Sequence, residues 1–279
     1  RRSASFPRRL AIWLFRRRRL QLGLLLLLPL AWLAVVYLGS LFILLLNAFW
    51  EKDTFTGNVE PFTWSLKAFQ TILDGEVYRT IALRTLGMAA LVTVTDALIA
   101  FPIAYYMARV ASPRARRFLV VAILMPLWAA YLVKVYAWRT ILQGNGFLEW
   151  LLTPFGVDAP GLGQLLNSWL VLSYLWVPFM SLPSYAGLER IPDSLLNASD
   201  DLGARPSTTF RRVILPLAFP AVVAGSIFTF SLTLGDYITP RLVSSTQFIG
   251  NVVYDNVGIA NNLPLASAFA CVPIAIMLA

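Results

Sequence analysis

Two carboxylates stand inside long apolar runs of this sequence: Asp96 in LVTVTDALIAFPIAYY and Asp236 in LGDYITP. A charge in hydrocarbon is costly and normally faces a bundle interior or a cavity. Two kinds of chemistry fit such residues, contact with a cationic ligand or an anchor between helices. For Asp96 the preferred reading is an anchor, an ion pair with Lys134. Counted from the arginines that bound the two runs, the residues differ in depth by about 6 Å, which a lysine side chain spans. Asp236 either meets an entering ligand or orders the turn before Pro240, and the sequence does not separate the two. Trp128, Tyr131, Trp176 and Tyr237 add aromatic faces of the kind that bind cations, although aromatic belts at a membrane interface account for most such residues. His-based metal or acid–base sites, an intrachain disulfide and a phosphate-binding loop are excluded. There is no histidine, and the single cysteine, Cys271, rules out an intrachain disulfide. None of the three lysines (Lys52, Lys67, Lys134) follows a glycine, so no phosphate-cradling G-x-x-x-x-G-K-[ST] loop is present.

The elements that must carry these residues are membrane spans. Of the 279 residues 58% are hydrophobic and 13% charged, against about 25% charged in a soluble domain. A helix crosses the hydrocarbon layer with about 20 apolar residues. That predicts an all-α polytopic fold with six spans, at about 22–47, 82–108, 118–140, 166–187, 216–237 and 263–279. The first follows a basic tail (1–21) and is too long for a signal peptide, so it reads as an uncleaved span. The last stops at Ala279 without a basic residue, so the natural chain either continues or ends there. Pro102, Pro126, Pro178 and Pro183 interrupt spans two to four, and each is expected to bend its helix.

The net charge of +9 reads as one basic side of a membrane protein rather than a nucleic-acid surface, because the arginines lie in blocks beside apolar runs. The N-terminal tail has eight arginines, Arg109 to Arg117 has four and Arg190 to Arg212 four more. The positive-inside rule makes that side cytoplasmic, with both termini on it. The loop around Thr54 to Asn58 is then outside.

One polar stretch on the basic side, NASDDLGARPSTTFRRVILP (Asn197 to Pro216), lies between spans four and five. Pro192 suits the first turn of a short helix, with Asp193 and Ser194 placed to satisfy its free amides. Gly203 suits the left-handed end of that helix, and Pro206 can start a second.

This stretch resembles the cytoplasmic signature of type I ABC importer permeases, E-A-A, three residues, G, nine residues, I-x-L-P. Asn197, Ala198 and Ser199 take the E-A-A places, Gly203 is the glycine, and Val213-Ile214-Leu215-Pro216 closes the motif. Asn197 stands where the family has a glutamate that helps anchor the loop to the ATPase, a charge Asp200 or Asp201 could supply. MPLWAAYLVKVYAWRTILQGNG (Met125 to Gly146), FSLTLGDYITPRLV (Phe230 to Val243) and IGNVVYDNV (Ile249 to Val257) resemble the spermidine/putrescine permeases.

The resemblance implies a coupling loop over 188–215 and a bacterial inner-membrane subunit that imports polyamines. It also implies a second permease subunit, similar or identical, two ATP-binding cassette subunits that hold ATP and Mg, and an extracytoplasmic substrate-binding protein. Alternatives are permeases for thiamine, ferric iron or phosphonate, or a self-sufficient secondary transporter, although no inverted repeat is visible. Asn197, Ala198, Ser199, Asp200, Asp201, Gly203 and Pro216 are the expected coupling residues. Asp96, Asp236, Tyr237, Trp128 and Tyr131 are the candidates for the substrate path.

Overall fold

In a bilayer the backbone must satisfy its own hydrogen bonds, so apolar runs become helices. The computed structural model describes residues 18–53, 59–60, 63–144, 146–155 and 163–278. The basic stretch 1–17 and the loop Thr54 to Asn58 lie outside them.

The chain begins with α1 (Arg18–Trp32), which passes through a π turn, Leu33–Leu38, into α2 (Gly39–Asn47). Two short strands, β1 (Glu51–Lys52) and β2 (Val59–Glu60), pair antiparallel. Then come α3 (Lys67–Asp74) and α4 (Glu76–Tyr105), which ends in a π turn, Tyr106–Val110. Next are α5 (Pro113–Trp128), α6 (Tyr131–Leu142), α7 (Phe147–Leu152) and α8 (Gln164–Glu189). The polar stretch forms α9 (Asp193–Asp201) and α10 (Pro206–Thr209). A third π turn, Phe210–Ile214, leads into α11 (Leu215–Gly235). The chain closes with α12 (Ile238–Val243), α13 (Ile249–Gly258) and α14 (Leu263–Leu278).

The architecture is all-α, as expected. Among the described residues four helical runs are long and apolar enough to cross a membrane: Leu25–Asn47, Glu76–Val110, Gln164–Glu189 and Pro206–Gly235. The bent pair α5–α6 and the shorter apolar α14 make a count of six possible.

Two sequence expectations need correction. The run expected as one span over 118–140 is broken: α5 and α6 meet at 92°. The break falls at Ala129 and Ala130, both extended (ψ 137° and 136°), not at Pro126, which α5 accommodates three residues earlier. Pro102, Pro178 and Pro183 likewise sit inside helices that continue through them. The helix expected to start at Pro206 is present, and it runs through the π turn to Gly235 without a loop.

The centre is a three-helix core of α4, α8 and α11. Small residues let helices approach closely in membranes, and α8 and α11 use them. A Cβ at Gly187 would lie 2.2 Å from Ala221 Cβ, and one at Gly225 would lie 2.9 Å from Met180 Sδ. Gly187→Ala should therefore lower the melting temperature of the purified protein, with an overpacking cost of about 1–3 kcal/mol. Gly87, on α4, has open space around it, so Gly87→Ala should leave stability unchanged or raise it. Equal effects of the two changes would contradict the close crossing.

Candidate functional site

At the arginine-rich end, α9 projects as a hook. Its C-terminus is a Schellman motif: Gly203 has φ +72°, its N–H bonds the Asp200 carbonyl at 2.8 Å, and Ala204 N–H bonds the Ser199 carbonyl at 3.1 Å. The left-handed glycine read from the sequence is present. The N-terminus differs. No side chain caps it, and Asp193 is paired instead with Arg109.

Asn197, Ala198, Asp200 and Asp201 are exposed, and Leu202 at the tip is 87% exposed. The other face is tied down. Ser199 Oγ lies 2.8 Å from Thr209 Oγ1, joining α9 to α10. Leu196 packs against a buried cluster formed by Ala104, Ala108, Leu188, Ile191, Ile214 and Ala218, drawn from α4, α8, α11 and their connections. Phe210 meets Phe101 and Tyr105 edge-on at 6.0 and 5.8 Å. The hook is thus bonded through apolar packing to all three core helices. Pro216 is not on its exposed tip but in the second turn-forming position of α11, after the π turn. The Ser199–Thr209 bond and Arg109 escaped the sequence reading, since neither side chain differs in type from an ordinary surface residue.

At the opposite end, Tyr131 and Asp236 are brought together. Asp236 Oδ1 accepts from the N–H of Ile238 (2.9 Å) and Thr239 (3.1 Å), the first amides of α12. Its Oδ2 accepts from Tyr131 Oη (2.5 Å) and Thr239 Oγ1 (2.8 Å). Asp236 therefore orders the turn before Pro240. Tyr131, stacked on Trp176 at 6.2 Å, lines with Trp176, Asp236 and Tyr237 a cleft of about 290 Å³. Tyr237 also stacks on Tyr254 at 4.7 Å. Trp128 is not in this group; it is 84% exposed at the end of α5.

Asp96 is fully buried on α4, and neither carboxylate oxygen has a hydrogen-bond partner among the described residues. The Ser173 hydroxyl of α8 is the polar group beside it. The expected ion pair with Lys134 is absent among the described residues. The reason is the 92° break: the depth count assumed one straight helix from Arg117 to Lys134, and α6 turns away. A double-mutant cycle of Asp96→Asn and Lys134→Met should accordingly show stabilities that add within about 0.5 kcal/mol. A larger coupling energy, measured by thermal unfolding in detergent, would restore the pair.

A three-helix core inside apolar spans, an exposed hook at one end and an aromatic cleft at the other define a membrane permease subunit, whose sequence has no phosphate-binding loop of its own. Comparison with known proteins agrees. Residues 100–279 match the family described as binding-protein-dependent transport system inner membrane component, and the chain belongs to that family of ABC importer permeases. It is a transport subunit rather than an enzyme, and ATP hydrolysis resides in a partner subunit. It is 47% identical over 270 residues to the inner membrane ABC transporter permease protein YdcU of Escherichia coli K12, covering 91% of this chain and 86% of the relative. It is 30% identical over 204 residues to the spermidine/putrescine transport system permease protein PotB of Haemophilus influenzae, covering 71% of each. Among solved structures, a chain of the bacterial alginate ABC transporter in complex with alginate pentasaccharide-bound periplasmic protein aligns with a TM-score of 0.73 at 17% identity, covering 95% of this chain and 93% of that one. This last likeness supports the fold.

Proposed function

We propose that this chain forms, with a second permease subunit, the path of an importer for polyamines such as putrescine and spermidine, and that α9 is its contact with the ATPase. The observation that carries the coupling reading is the hook itself: a capped helix with an exposed tip, packed through Leu196 and Phe210 onto all three core helices. A rigid element seated in a groove of each ATPase subunit, which holds ATP and Mg, converts closure of the ATPase dimer into movement of the spans. The arginine-rich end is then cytoplasmic, both termini lie on that side, and the cleft at Tyr131 and Asp236 opens toward an extracytoplasmic binding protein.

The solute class is supported by the PotB relatives and by the chemistry of the cleft. The faces of Tyr131, Trp176 and Tyr237 attract ammonium groups, and the apolar lining suits methylene chains. Asp236 adds negative potential although its oxygens are taken by the turn. The test is uptake of labelled putrescine and spermidine by cells whose only importer of this type is the complex. Saturable, ATP-dependent uptake of either is expected. Transport of a different solute, with no competition from polyamines, would contradict the reading.

A further inference from the structure

Arg109 sits in the π turn that ends α4, and its side chain is only 12% exposed. Both terminal nitrogens of its guanidinium are spent on protein, while Nε is buried without a hydrogen-bond partner among the described residues. Nη1 donates to Asp193 Oδ1 at 2.8 Å, and Nη2 donates to the carbonyls of Leu188 at 2.6 Å and Ile191 at 2.7 Å. The Leu188 carbonyl lies in the last turn of α8, where a helix lacks internal donors and a cation is favoured, and that of Ile191 lies in the short connection to α9. Asp193 is the first residue of α9. One planar group thus joins α4, the end of α8 and the start of the hook.

Arg116 of α5 reinforces the same place. Its Nε donates to the Met107 carbonyl at 3.0 Å and Nη2 to that of Ala108 at 3.3 Å, while Nη1 reaches Glu189 Oε1 at 3.4 Å. Membrane sidedness explains why arginines are present at this end. It does not explain a nearly buried guanidinium with three specific acceptors.

We propose that Arg109 is the positioning residue that carries movement of α9 into α4, so that the hook, the end of α8 and the end of α4 move as one body. This rests on the reading of α9 as the ATPase contact. Along the chain the hook reaches only α8 on one side and, through the π turn Phe210–Ile214, α11 on the other. Arg109 supplies a polar fastening to α4, which is distant in sequence, beside the apolar packing of Leu196. The fork geometry is specific to arginine; a lysine ammonium offers a compact point charge instead.

The test uses the whole complex, purified with its ATPase subunits and placed in lipid nanodiscs. Arg109→Ala should keep the ATPase bound and its basal hydrolysis within about twofold of wild type, while stimulation by the solute-loaded binding protein falls about tenfold or more. Arg109→Lys should recover part of the stimulation. Asp193→Asn, which weakens the direct bond to α9, should lower the stimulation part-way, less than Arg109→Ala, because that carboxylate is 85% exposed and the Leu188 and Ile191 carbonyls remain bonded. A second readout separates transmission from mere stability. Spin labels at Tyr106→Cys and Ser194→Cys, in a Cys271→Ser background, should give one narrow distance that ATP does not change in the otherwise wild-type complex. In Arg109→Ala that distribution should broaden and shift with ATP. Full stimulation in Arg109→Ala, or an ATP-dependent distance with Arg109 intact, overturns the proposal while leaving the docking reading in place. A wild-type chain that binds no ATPase subunit would defeat the docking reading, and the proposal with it.

Discussion

Gly203→Pro should abolish solute-stimulated ATP hydrolysis and uptake while leaving the spans folded. The glycine has φ +72°, and proline is locked near −65°. Proline also removes the N–H that bonds the Asp200 carbonyl. The Schellman closure then cannot form, and the path from α9 to α10 is redirected. Gly203→Ala isolates the conformational part. A Cβ at Gly203 meets nothing within 4 Å, so alanine costs only the left-handed penalty of about 1–2 kcal/mol and should retain substantial uptake. The graded series, alanine mild and proline null, is the expected outcome in a transport assay with membrane levels checked by blotting. Normal uptake in the proline variant would mean that the hook is not the motor contact.

Asp236→Ala should unfold the opposite end and with it lose transport. Two backbone amides and two hydroxyls converge on that carboxylate, and removing it leaves buried donors without an acceptor. A buried donor left without an acceptor costs about 1–3 kcal/mol, so a clear fall in melting temperature is expected. Asp236→Asn should be milder, since its carbonyl oxygen can still take both amides while the hydroxyls of Tyr131 and Thr239 turn to accept from the new NH₂. Tyr131→Phe should cost about 1.5–3 kcal/mol, the worth of one bond to a charged acceptor. If Asp236→Asn instead abolished solute uptake with stability intact, the carboxylate would be a direct substrate contact rather than the keystone of the turn.

The parts of this molecule that were legible in the sequence are those fixed by local chemistry. Long apolar runs specify helices wherever backbone groups lack water, and Gly203 ends α9 in the conformation that only glycine adopts freely. The parts that were not legible depend on direction in space. Ala129 and Ala130 are good helix residues, and nothing in their type announces a 92° break. The break is accompanied by Tyr131 bonding to Asp236, 105 residues away in sequence. Once span three is bent, a depth count along it fails, and Lys134 does not pair with Asp96 among the described residues. Proline had the opposite effect: Pro102, Pro178 and Pro183 suggested interruption, yet their helices continue, as membrane helices can when neighbouring groups and local π turns re-satisfy the freed carbonyl. Arg109 was visible only as one of several basic residues, because its role lies in three acceptors that folding gathers.

The most direct measurement places a photoreactive amino acid at Leu202, the exposed tip of α9, in the intact complex in its own membrane. Illumination should give a crosslink to the ATP-binding subunit, identified by mass spectrometry, and the same label at Leu98 on the apolar face of α4, which is 70% exposed, should give none. Crosslinking at Leu202 to lipid alone, or to no protein that binds ATP, would contradict the assignment of α9 as the ATPase contact.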